Sequence, residues 1–462
     1  MKRTFNPLTL RIICLALALV LATVALTSCG GSVADKETIY ERMENTPSDS
    51  TEYLYVVEYL RGWGIRNVDM FKFEWAEDKY QSYYAYGDGL PTVLEHARLV
   101  ATDFLTNYYD VINLRDTTAV TDALLTCYAD AVEDPYSIYR APEEYEEYYE
   151  DMSGSFGGVG MTVIQDDLTE TITVTGVYDD SPAKKAGVLP GDVLYAVDGE
   201  TVEEIGYVNV LDRVRGKIGT SVSIVMKRGE EYLSFRMTRE KIEEKSVEYE
   251  IDTEKNIAYI RVSGFKGNTV EQFVEAIDAS EAAGVVGIIF DMRYNPGGYL
   301  HIVKDMLSYL VPTGNTLVSY KYSGELEVVD KSLDDVHPTK KNENGKPLVE
   351  DHKISVPVVV ICNEYTASAG ELFTAAIRDY TKDEILDAKI VGTTTYKKGI
   401  MQNSYTYPLD GASITFTVAY YNPPCGENYH GTGVAPDIEV TNTATEDLQY
   451  TKAVEVLLSL VK

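Results

Sequence analysis

The chain has 462 residues and carries 73 acidic against 41 basic side chains, a formal net charge of −32 at pH 7. So acidic a protein repels nucleic-acid phosphates, which excludes nucleic-acid binding as a working hypothesis, and the length predicts about three domains. The five cysteines show no pairwise spacing, so neither a disulfide framework nor a metal site is expected.

The N-terminal segment is typical of an export signal. Basic residues up to Arg11 precede an apolar run from Ile12 to Leu26, and Thr27-Ser28-Cys29 follows. The pattern resembles a bacterial lipoprotein signal, which implies a signal peptide over 1–28, lipidation of Cys29 and an extracytoplasmic, membrane-anchored protein. The apolar run is short for a transmembrane helix. An ordinary secretory signal and an uncleaved anchor remain as alternatives.

A linker over residues 29–50 leads into a tyrosine-rich region that we assign to 51–152. Helical patterns occur there at Leu94–Tyr109 and Thr118–Val132, and the whole chain contains 36 tyrosines. Tyrosine is common at interaction surfaces, but in helical segments packing in the core and at its rim is favoured. We therefore predict a helical N-terminal region, and its function is left open.

A glycine-rich, strand-forming region follows. Phe156–Met161 reads FGGVGM, and SPAKKAG and LPGDVLYAVDGETV come after it. This order resembles a PDZ domain, which we assign to residues 153–241. The resemblance implies a loop whose N–H groups capture the terminal carboxylate of a peptide, and an edge strand at Thr162–Gln165 to which the peptide adds. The loop residues are Gly157, Gly158, Val159, Gly160 and Met161.

Residues 242–440 alternate strand and helix patterns, which predicts an α/β domain with its site at the carboxyl ends of the strands. The predicted strands are Ile257–Val262, Val286–Asp291, Val356–Cys362 and Lys389–Gly392. The polar segment Glu325–Lys353 is predicted to be a mobile insertion. A tail helix is predicted within 441–462. The predicted fold class is thus multidomain α/β: a helical N-terminal region, a β-rich PDZ domain and an α/β core.

The most informative segment is Val358–Asp379, VVVICNEYTASAGELFTAAIRD. Its β-branched start predicts a buried strand and its later apolar spacing predicts a helix, so Ser368 falls at a strand-to-helix turn. The N–H of Ala369 would face a developing oxyanion there. Lys398 could take the serine proton only when neutral, which requires a pKa of roughly 7 to 8 in place of about 10.4. Alternatively, Ser368 is a helix N-cap and Lys398 a solvated loop lysine.

A Pro-Gly-Gly turn ends the apolar strand IIFD that begins at Ile288. Without a Cβ the backbone can approach a ligand closely, so Gly297 and Gly298 are candidate oxyanion donors.

Together these segments resemble the C-terminal processing peptidases, or tail-specific proteases, of the serine-lysine type. The resemblance spans residues 131–440. It rests on motifs in the family's order: DPYS, SFGG, NPGG, TASAGE, a Lys-Gly turn with a following glutamine, and GTGVAPDIEV. It implies a serine endopeptidase that forms an acyl-enzyme, needs no cofactor, and acts on protein or peptide substrates with free apolar C-termini.

The resemblance also assigns roles. Ser368 is the implied nucleophile, Lys398 the implied general base, and Gln402 the residue that helps to hold the lysine. Glu371 and Asp379 match carboxylates on the nucleophile's helix. Ser368 and Asp379 share a helix face, about three turns apart. Because a direct carboxylate contact would raise the lysine pKa, Asp379 is expected to anchor structure, with a plain surface carboxylate as the alternative.

The chain departs from the family pattern at several positions. Gly370 stands where the family usually has serine, and the lysine turn reads Tyr-Lys-Lys-Gly, so Lys397 is an alternative base. The separation between serine and lysine is longer than usual, because Thr381–Lys389 extends a connection that should lie on the surface.

Other mechanisms and another class of function remain. Cys362, on the strand before the serine, is expected to be a core residue rather than a nucleophile, and a Ser-His pair with His301 would leave the lysine turn unexplained. The alternative function is a non-catalytic PDZ-bearing binding lipoprotein of the same fold, as in the related retinoid-binding proteins. A homo-oligomer is left open.

Overall fold

The computed structural model describes residues 56, 60, 65–84, 93–166, 171–322, 327–332, 336–341, 347–349 and 353–461. The predicted signal, Cys29 and the linker lie outside these residues. The described residues form two compact units: one comprises those up to Ala141 with Ser404–Phe416, and the other Pro142–Asn403 with the residues from Thr417 onward. No helix within the described ranges is long and apolar enough to cross a membrane.

The helices are α1 Met70–Tyr83, α2 Val93–Asn107, α3 Thr117–Asp130, α4 Pro142–Ser153, α5 Pro182–Ala186, α6 Val202–Ile205, α7 Tyr207–Val214, α8 Thr269–Ala282, α9 Leu300–Leu310, α10 Ala369–Lys382 and α11 Leu448–Leu460. The strands are β1 Ile138–Arg140, β2 Ser155–Gly158, β3 Met161–Gln165, β4 Ile172–Val177, β5 Val193–Val197, β6 Glu200–Thr201, β7 Ser221–Arg228, β8 Glu231–Thr238, β9 Glu240–Glu243, β10 Val247–Asp252, β11 Ile257–Val262, β12 Gly287–Asp291, β13 Thr316–Tyr322, β14 Glu327–Lys331, β15 Val336–Lys341, β16 Pro347–Val349, β17 Val358–Cys362, β18 Ala388–Gly392, β19 Ile400–Thr406, β20 Ser413–Asn422 and β21 Ile438–Glu439.

The first unit packs α1, α2 and α3 around aromatic side chains. Tyr128 is fully buried and Tyr80 nearly so, which agrees with the predicted packing role of the tyrosines. The buried amine of Lys72 lies 2.8 Å from Asp122 and 2.8 Å from Asp410, so this buried charge is paired on two sides. The contribution of residues 404–416 to this unit was not predicted.

The two helices predicted in this region are confirmed as α2 and α3, with ends displaced by one or two residues. The Asp116 carboxylate caps α3 by accepting hydrogen bonds from the N–H groups of Thr118 and Ala119. This cap explains why the helix begins where it does.

The PDZ region is a sheet in the order β3-β4-β5-β7-β8, with β6 beside β5 and a separate β2-β9 pair. Its core contains apolar side chains such as Ile172, Leu194 and Ile224. The predicted edge strand is confirmed: β3 lies at the end of the sheet and includes Thr162–Gln165.

The second unit also contains a six-stranded sheet in the order β10-β11-β12-β17-β18-β21, parallel from β11 onward. Every residue of β12 and of β17 is buried. Alternate residues face opposite sides: Phe290 and Val360 pack in the core with α8, α9 and α10, while Ile289 and Val359 pack with α11. Helices on both faces explain why these strands are apolar throughout.

The parallel strands β12, β17 and β18 are neighbours, and each leads into a turn that the sequence predicts to be functional. These turns are the oxyanion turn (292–298), the nucleophile turn (363–368) and the lysine turn (393–399). The carboxyl ends of parallel neighbours meet at one edge of a sheet, so the three turns converge. A second sheet, β1-β20-β13-β14 with β19 beside β20, carries Gln402 on β19.

Two sequence expectations are refined here. The segment Glu325–Lys353 contains β14, β15 and β16 in its described parts, and the rest of it lies outside the described residues. In the extended connection Thr381–Lys389, α10 continues to Lys382 and β18 begins at Ala388, so only the residues between them form the loop.

Candidate active site

Ser368 lies at the junction between β17 and α10 in an unusual backbone conformation. Its φ is 53° and its ψ is −118°, a region that residues with a Cβ rarely adopt. Holding a non-glycine residue there costs on the order of 1 to 3 kcal/mol, and such strain is concentrated at functional sites. The surrounding turn therefore fixes the serine in one position at the helix start.

The oxyanion turn packs directly against this serine. A Cβ placed on Gly297 would lie 2.7 Å from the Ser368 Cβ and 3.0 Å from the Ala369 nitrogen. The Gly297 N–H donates to Asn295 Oδ1 at 2.8 Å and is already engaged. The N–H groups of Gly298 and Ala369 have no acceptor within the described part of the chain. Of the three predicted oxyanion donors, these two are available.

Buried polar groups fasten the oxyanion turn to the nucleophile turn. The Asn295 carbonyl accepts from the Ala367 N–H at 2.8 Å, and the Thr366 hydroxyl donates to the Met292 carbonyl at 2.8 Å. Asn295 and Thr366 are both fully buried. Neither residue was assigned a role of its own from the sequence, although both lie inside the motifs identified there.

Glu371 joins the nucleophile turn to the lysine turn. Its fully buried carboxylate accepts from the Ser368 N–H (2.9 Å), from the Lys397 and Lys398 N–H groups (2.7 Å each) and from the Thr395 hydroxyl (2.5 Å). Burial raises the pKa of Glu371, and these four donors oppose that shift. One carboxylate oxygen, Oε2, therefore binds the backbone of both candidate catalytic residues.

Glu371→Gln is expected to lower kcat by about five- to a hundredfold. A glutamine amide has a single acceptor oxygen, so its NH₂ group would face a buried backbone N–H, at a cost of about 1 to 3 kcal/mol. The matched control is Glu364→Gln, which alters an exposed carboxylate of the nucleophile turn that accepts from the Thr393 hydroxyl at 2.8 Å. Steady-state kinetics on both variants checks this, and equal kcat values would contradict it.

The lysine turn distinguishes its two lysines. Lys398 is half-buried, whereas Lys397 is exposed and has a φ of 90°. The Tyr421 hydroxyl donates to the Lys398 carbonyl at 2.9 Å and lies 3.4 Å from Ser368 Oγ. Gln402 donates to the Thr417 hydroxyl at 3.0 Å, so its predicted contact with the lysine stays a prediction.

Two tyrosines at this site were not predicted. Tyr421, 2% exposed, bridges the nucleophile and the lysine turn, and the Tyr429 hydroxyl lies 3.4 Å from the Ser368 carbonyl. Burial raises the pKa of Tyr429 well above its ordinary value, so this hydroxyl stays protonated and can donate. Both residues lie more than fifty positions after the serine, and no local pattern marked them.

Asp379 lies in a structural network at the far end of α10. Its buried carboxylate lies 3.1 Å from Arg378 and 3.5 Å from Lys382, and it accepts from the Cys425 N–H at 3.2 Å. These contacts favour the expected anchoring role and not the surface alternative.

The other candidates for catalysis have different surroundings. Cys362 is buried, donates to the Thr393 carbonyl at 3.4 Å, and burial raises the pKa of its thiol to about 12, as expected of a core residue. His301 is exposed, and its ring lies 5.1 Å from that of Tyr299. Within the described ranges, no group of three or more His, Cys, Asp or Glu side chains could hold a metal ion.

The PDZ region holds a groove of about 280 Å³ beside its edge strand. Residues 158–161 of the predicted loop line it, but Gly157 and Gly158 lie in β2, paired with β9, and Met161 begins β3, so only Val159 and Gly160 lie between strands. Arg215 also lines the groove, with its guanidinium 4.4 Å from the Phe156 ring. A Cβ on Gly157 would lie 2.1 Å from the Gly216 carbonyl oxygen. This close approach explains why residue 157 is a glycine.

Comparisons with known proteins agree with this architecture. The family described as Peptidase family S41 matches residues 256–440, and a PDZ domain family matches residues 173–228. A "Probable CtpA-like serine protease" of Staphylococcus haemolyticus (strain JCSC1435) is 35% identical over 311 residues, covering 67% of this chain and 58% of that protein. A protein of the same name from Staphylococcus epidermidis (strain ATCC 12228) is 33% identical over 317 residues, covering 69% and 60%.

The match thus spans less than two thirds of the length of these relatives. Among solved structures, a protein of Bacteroides fragilis NCTC 9343 assigned to the S41 proteases is 15% identical, with a TM-score of 0.50, covering 84% of this chain and 98% of that one. At this identity it shows a shared fold alone. The sequence relatives and the two family matches show that this chain carries a peptidase family S41 region over residues 256–440 and a PDZ domain over residues 173–228.

Proposed function

We propose that this protein is a serine endopeptidase in which Ser368 is the nucleophile and Lys398 the general base. The observation that carries the proposal is the Glu371 carboxylate, which holds the backbone N–H groups of both residues on one oxygen. The buried Glu371 carboxylate holds the strained serine close to the Gly298 and Ala369 N–H groups, an arrangement that suits covalent catalysis. The names of the curated relatives, CtpA-like serine proteases, support the same class of reaction.

The proposed reaction has two halves. Neutral Lys398 takes the proton of Ser368 Oγ as that oxygen attacks the substrate carbonyl carbon, and the oxyanion accepts from the Gly298 and Ala369 N–H groups. The C–N bond then breaks, and the lysine proton passes to the leaving amine. A water molecule then gives a proton to Lys398 as its oxygen attacks the acyl carbon. The ester bond between that carbon and Ser368 Oγ breaks, the acid leaves, and the proton on Lys398 passes to Ser368 Oγ. We propose that Gln402 and Tyr421 hold the lysine turn during both halves.

We further propose that the PDZ groove selects substrates by their C-terminal tails. Val159 and Gly160, between β2 and β3, offer backbone N–H groups beside the β3 edge, and the side chains of Arg215 and Glu244 also line the groove. Backbone N–H groups and a cation suit a free carboxylate, and the sheet edge suits an extended peptide. An apolar C-terminal side chain would lie in the part of the groove lined by Leu194 and Val214.

An amidated peptide is expected to be cut far more slowly than its free-acid twin, because amidation removes the charge that the groove binds. Comparison of kcat/KM for the two peptides checks this. Deletion of residues 155–240 should erase the difference, either by loosening selectivity or by silencing the enzyme. If the intact protein cleaves both peptides with equal kcat/KM, the PDZ domain does not bind the terminal carboxylate.

The remaining proposal concerns location: the protein is a lipoprotein tethered outside the cytoplasm through Cys29. Cys29→Ala should abolish incorporation of radiolabelled palmitate and move the protein from the membrane pellet to the soluble fraction. A single lipid chain binds membranes reversibly, so a complete lipoprotein anchor is needed for stable tethering. Unchanged labelling of the variant would contradict the proposal.

A further inference from the structure

Each turn that builds the candidate active site carries one exposed tyrosine. Tyr294 is 62% exposed, Tyr365 56% and Tyr396 53%. They stand three residues before Gly297, three before Ser368 and two before Lys398. Large aromatic side chains on all three turns contribute little to the core, and such exposed apolar surface is typical of binding sites.

Two of these rings form a fixed stack. The rings of Tyr294 and Tyr365 lie 5.3 Å apart with an interplanar angle of 14°. The backbone N–H groups of both residues donate to the same nearly buried oxygen, Asn363 Oδ1, at 3.1 and 3.2 Å. Tyr294 has a φ of 60°, so it is held in a conformation that a bulky residue adopts only under constraint. The stack is therefore preorganised on the oxyanion and nucleophile turns.

The surroundings of the stack limit which side chain it could bind. The N–H of Tyr396 donates to the Thr366 carbonyl at 3.0 Å, which brings the lysine turn next to the residue that follows Tyr365. On the other side, Tyr294 borders a cavity of about 490 Å³ that is lined by charged side chains of both signs: Arg261, Arg293, Asp291, Glu446 and Asp447. Aromatic and large apolar side chains suit the exposed ring faces.

We infer that the stacked rings of Tyr294 and Tyr365 form a specificity-determining subsite for an aromatic or large apolar substrate side chain close to the scissile bond. This inference rests on the proposed function, since it names which peptide bonds that site would choose. Because the rings are already ordered, binding a substrate side chain there costs little conformational entropy.

The test compares variants on matched peptides that carry Phe, Ala or Lys at each position flanking the cut bond. Tyr294→Asn replaces one ring by asparagine, a residue that tolerates positive φ. Tyr365→Ala removes the second ring. Each variant is expected to lose about tenfold in kcat/KM on the Phe peptide and under twofold on the Ala peptide. Tyr365→Phe keeps the ring and should retain the preference.

Tyr232→Ala is the control, because Tyr232 is 56% exposed and packs edge-on against Tyr195 in the PDZ region. Its preference should equal that of the wild type. If the Tyr294 and Tyr365 variants lose kcat/KM equally on all three peptides, the inference is overturned and the stack only positions the turns. If the loss of kcat/KM is greatest on the Lys peptide, the apolar preference is overturned. Binding of the same peptides to Ser368→Ala protein separates the two proposals: selective binding without cleavage by the wild type would reject the endopeptidase and keep the subsite.

Discussion

Replacing Lys398 by alanine is expected to lower kcat by about a hundred- to ten-thousandfold, whereas Lys397→Ala leaves it within about threefold. Lys398 is half-buried, and its N–H shares Glu371 Oε2 with the N–H of Ser368. Lys397 is exposed, and its N–H binds the other carboxylate oxygen of Glu371, Oε1. Steady-state kinetics on both variants, with thermal unfolding to confirm the fold, checks the assignment.

The pH profile adds an independent check on the base. A lysine acts as a base only after losing its proton, so wild-type kcat/KM should rise with pH through the pKa of the free enzyme's lysine. The residual activity of Lys398→Ala should lack this rise. Loss of activity in Lys397→Ala with normal kcat in Lys398→Ala would reverse the assignment.

Gly297→Ala is expected to lower kcat by about a hundred- to a thousandfold, because it would displace the adjacent Gly298 N–H, and losing one oxyanion donor usually has an effect of this size. The new methyl group would lie 2.7 Å from the Ser368 Cβ and 3.0 Å from the Ala369 nitrogen, so the turn must move away from the site. In Gly298→Ala the new Cβ would meet the backbone of Phe265, at 2.2 Å from its carbonyl oxygen. It should have a similar effect together with a loss of stability.

The matched control for Gly297→Ala is Gly314→Ala. Gly314 has a φ of +90°, close to the +104° of Gly297, but a Cβ there would meet nothing within 4 Å. Both variants carry the backbone penalty of a side chain at positive φ, and only Gly297→Ala intrudes on the site. Gly314→Ala should therefore unfold at a slightly lower temperature with kcat within about threefold of wild type. Normal kcat in Gly297→Ala would remove this turn from the active site.

Local patterns in the sequence were sufficient for the strands and turns that build the site. The β-branched run of β17 follows from burial of that strand, and the glycines of the oxyanion turn follow from the close approach of its backbone to the serine. Both patterns can be recognised in consecutive residues. The helix α10 was predicted from its apolar spacing, and it begins at Ala369, directly after the strained Ser368. The convergence of the turns followed from the rule for parallel strands.

The contacts that cross long stretches of chain could not be predicted in this way. Tyr421 reaches Ser368 and the lysine turn from a strand of another sheet, and the role of Glu371 depends on a turn more than twenty residues away. Nor did any pattern indicate that residues 404–416 would pack with the N-terminal helices. Such contacts depend on how the elements assemble, and periodicity within one segment carries no information about them.

The identity of the nucleophile is the central claim, and it can be tested by trapping the acyl-enzyme. The protein would be acid-quenched during turnover of an activated peptide ester, digested and mapped by mass spectrometry. We expect the acyl group on Ser368, and neither acyl group nor peptide cleavage in Ser368→Ala. The serine mechanism would be contradicted by cleavage without an adduct on Ser368, or by an acyl group on another residue such as Cys425. Binding of peptides without cleavage would favour the non-catalytic alternative.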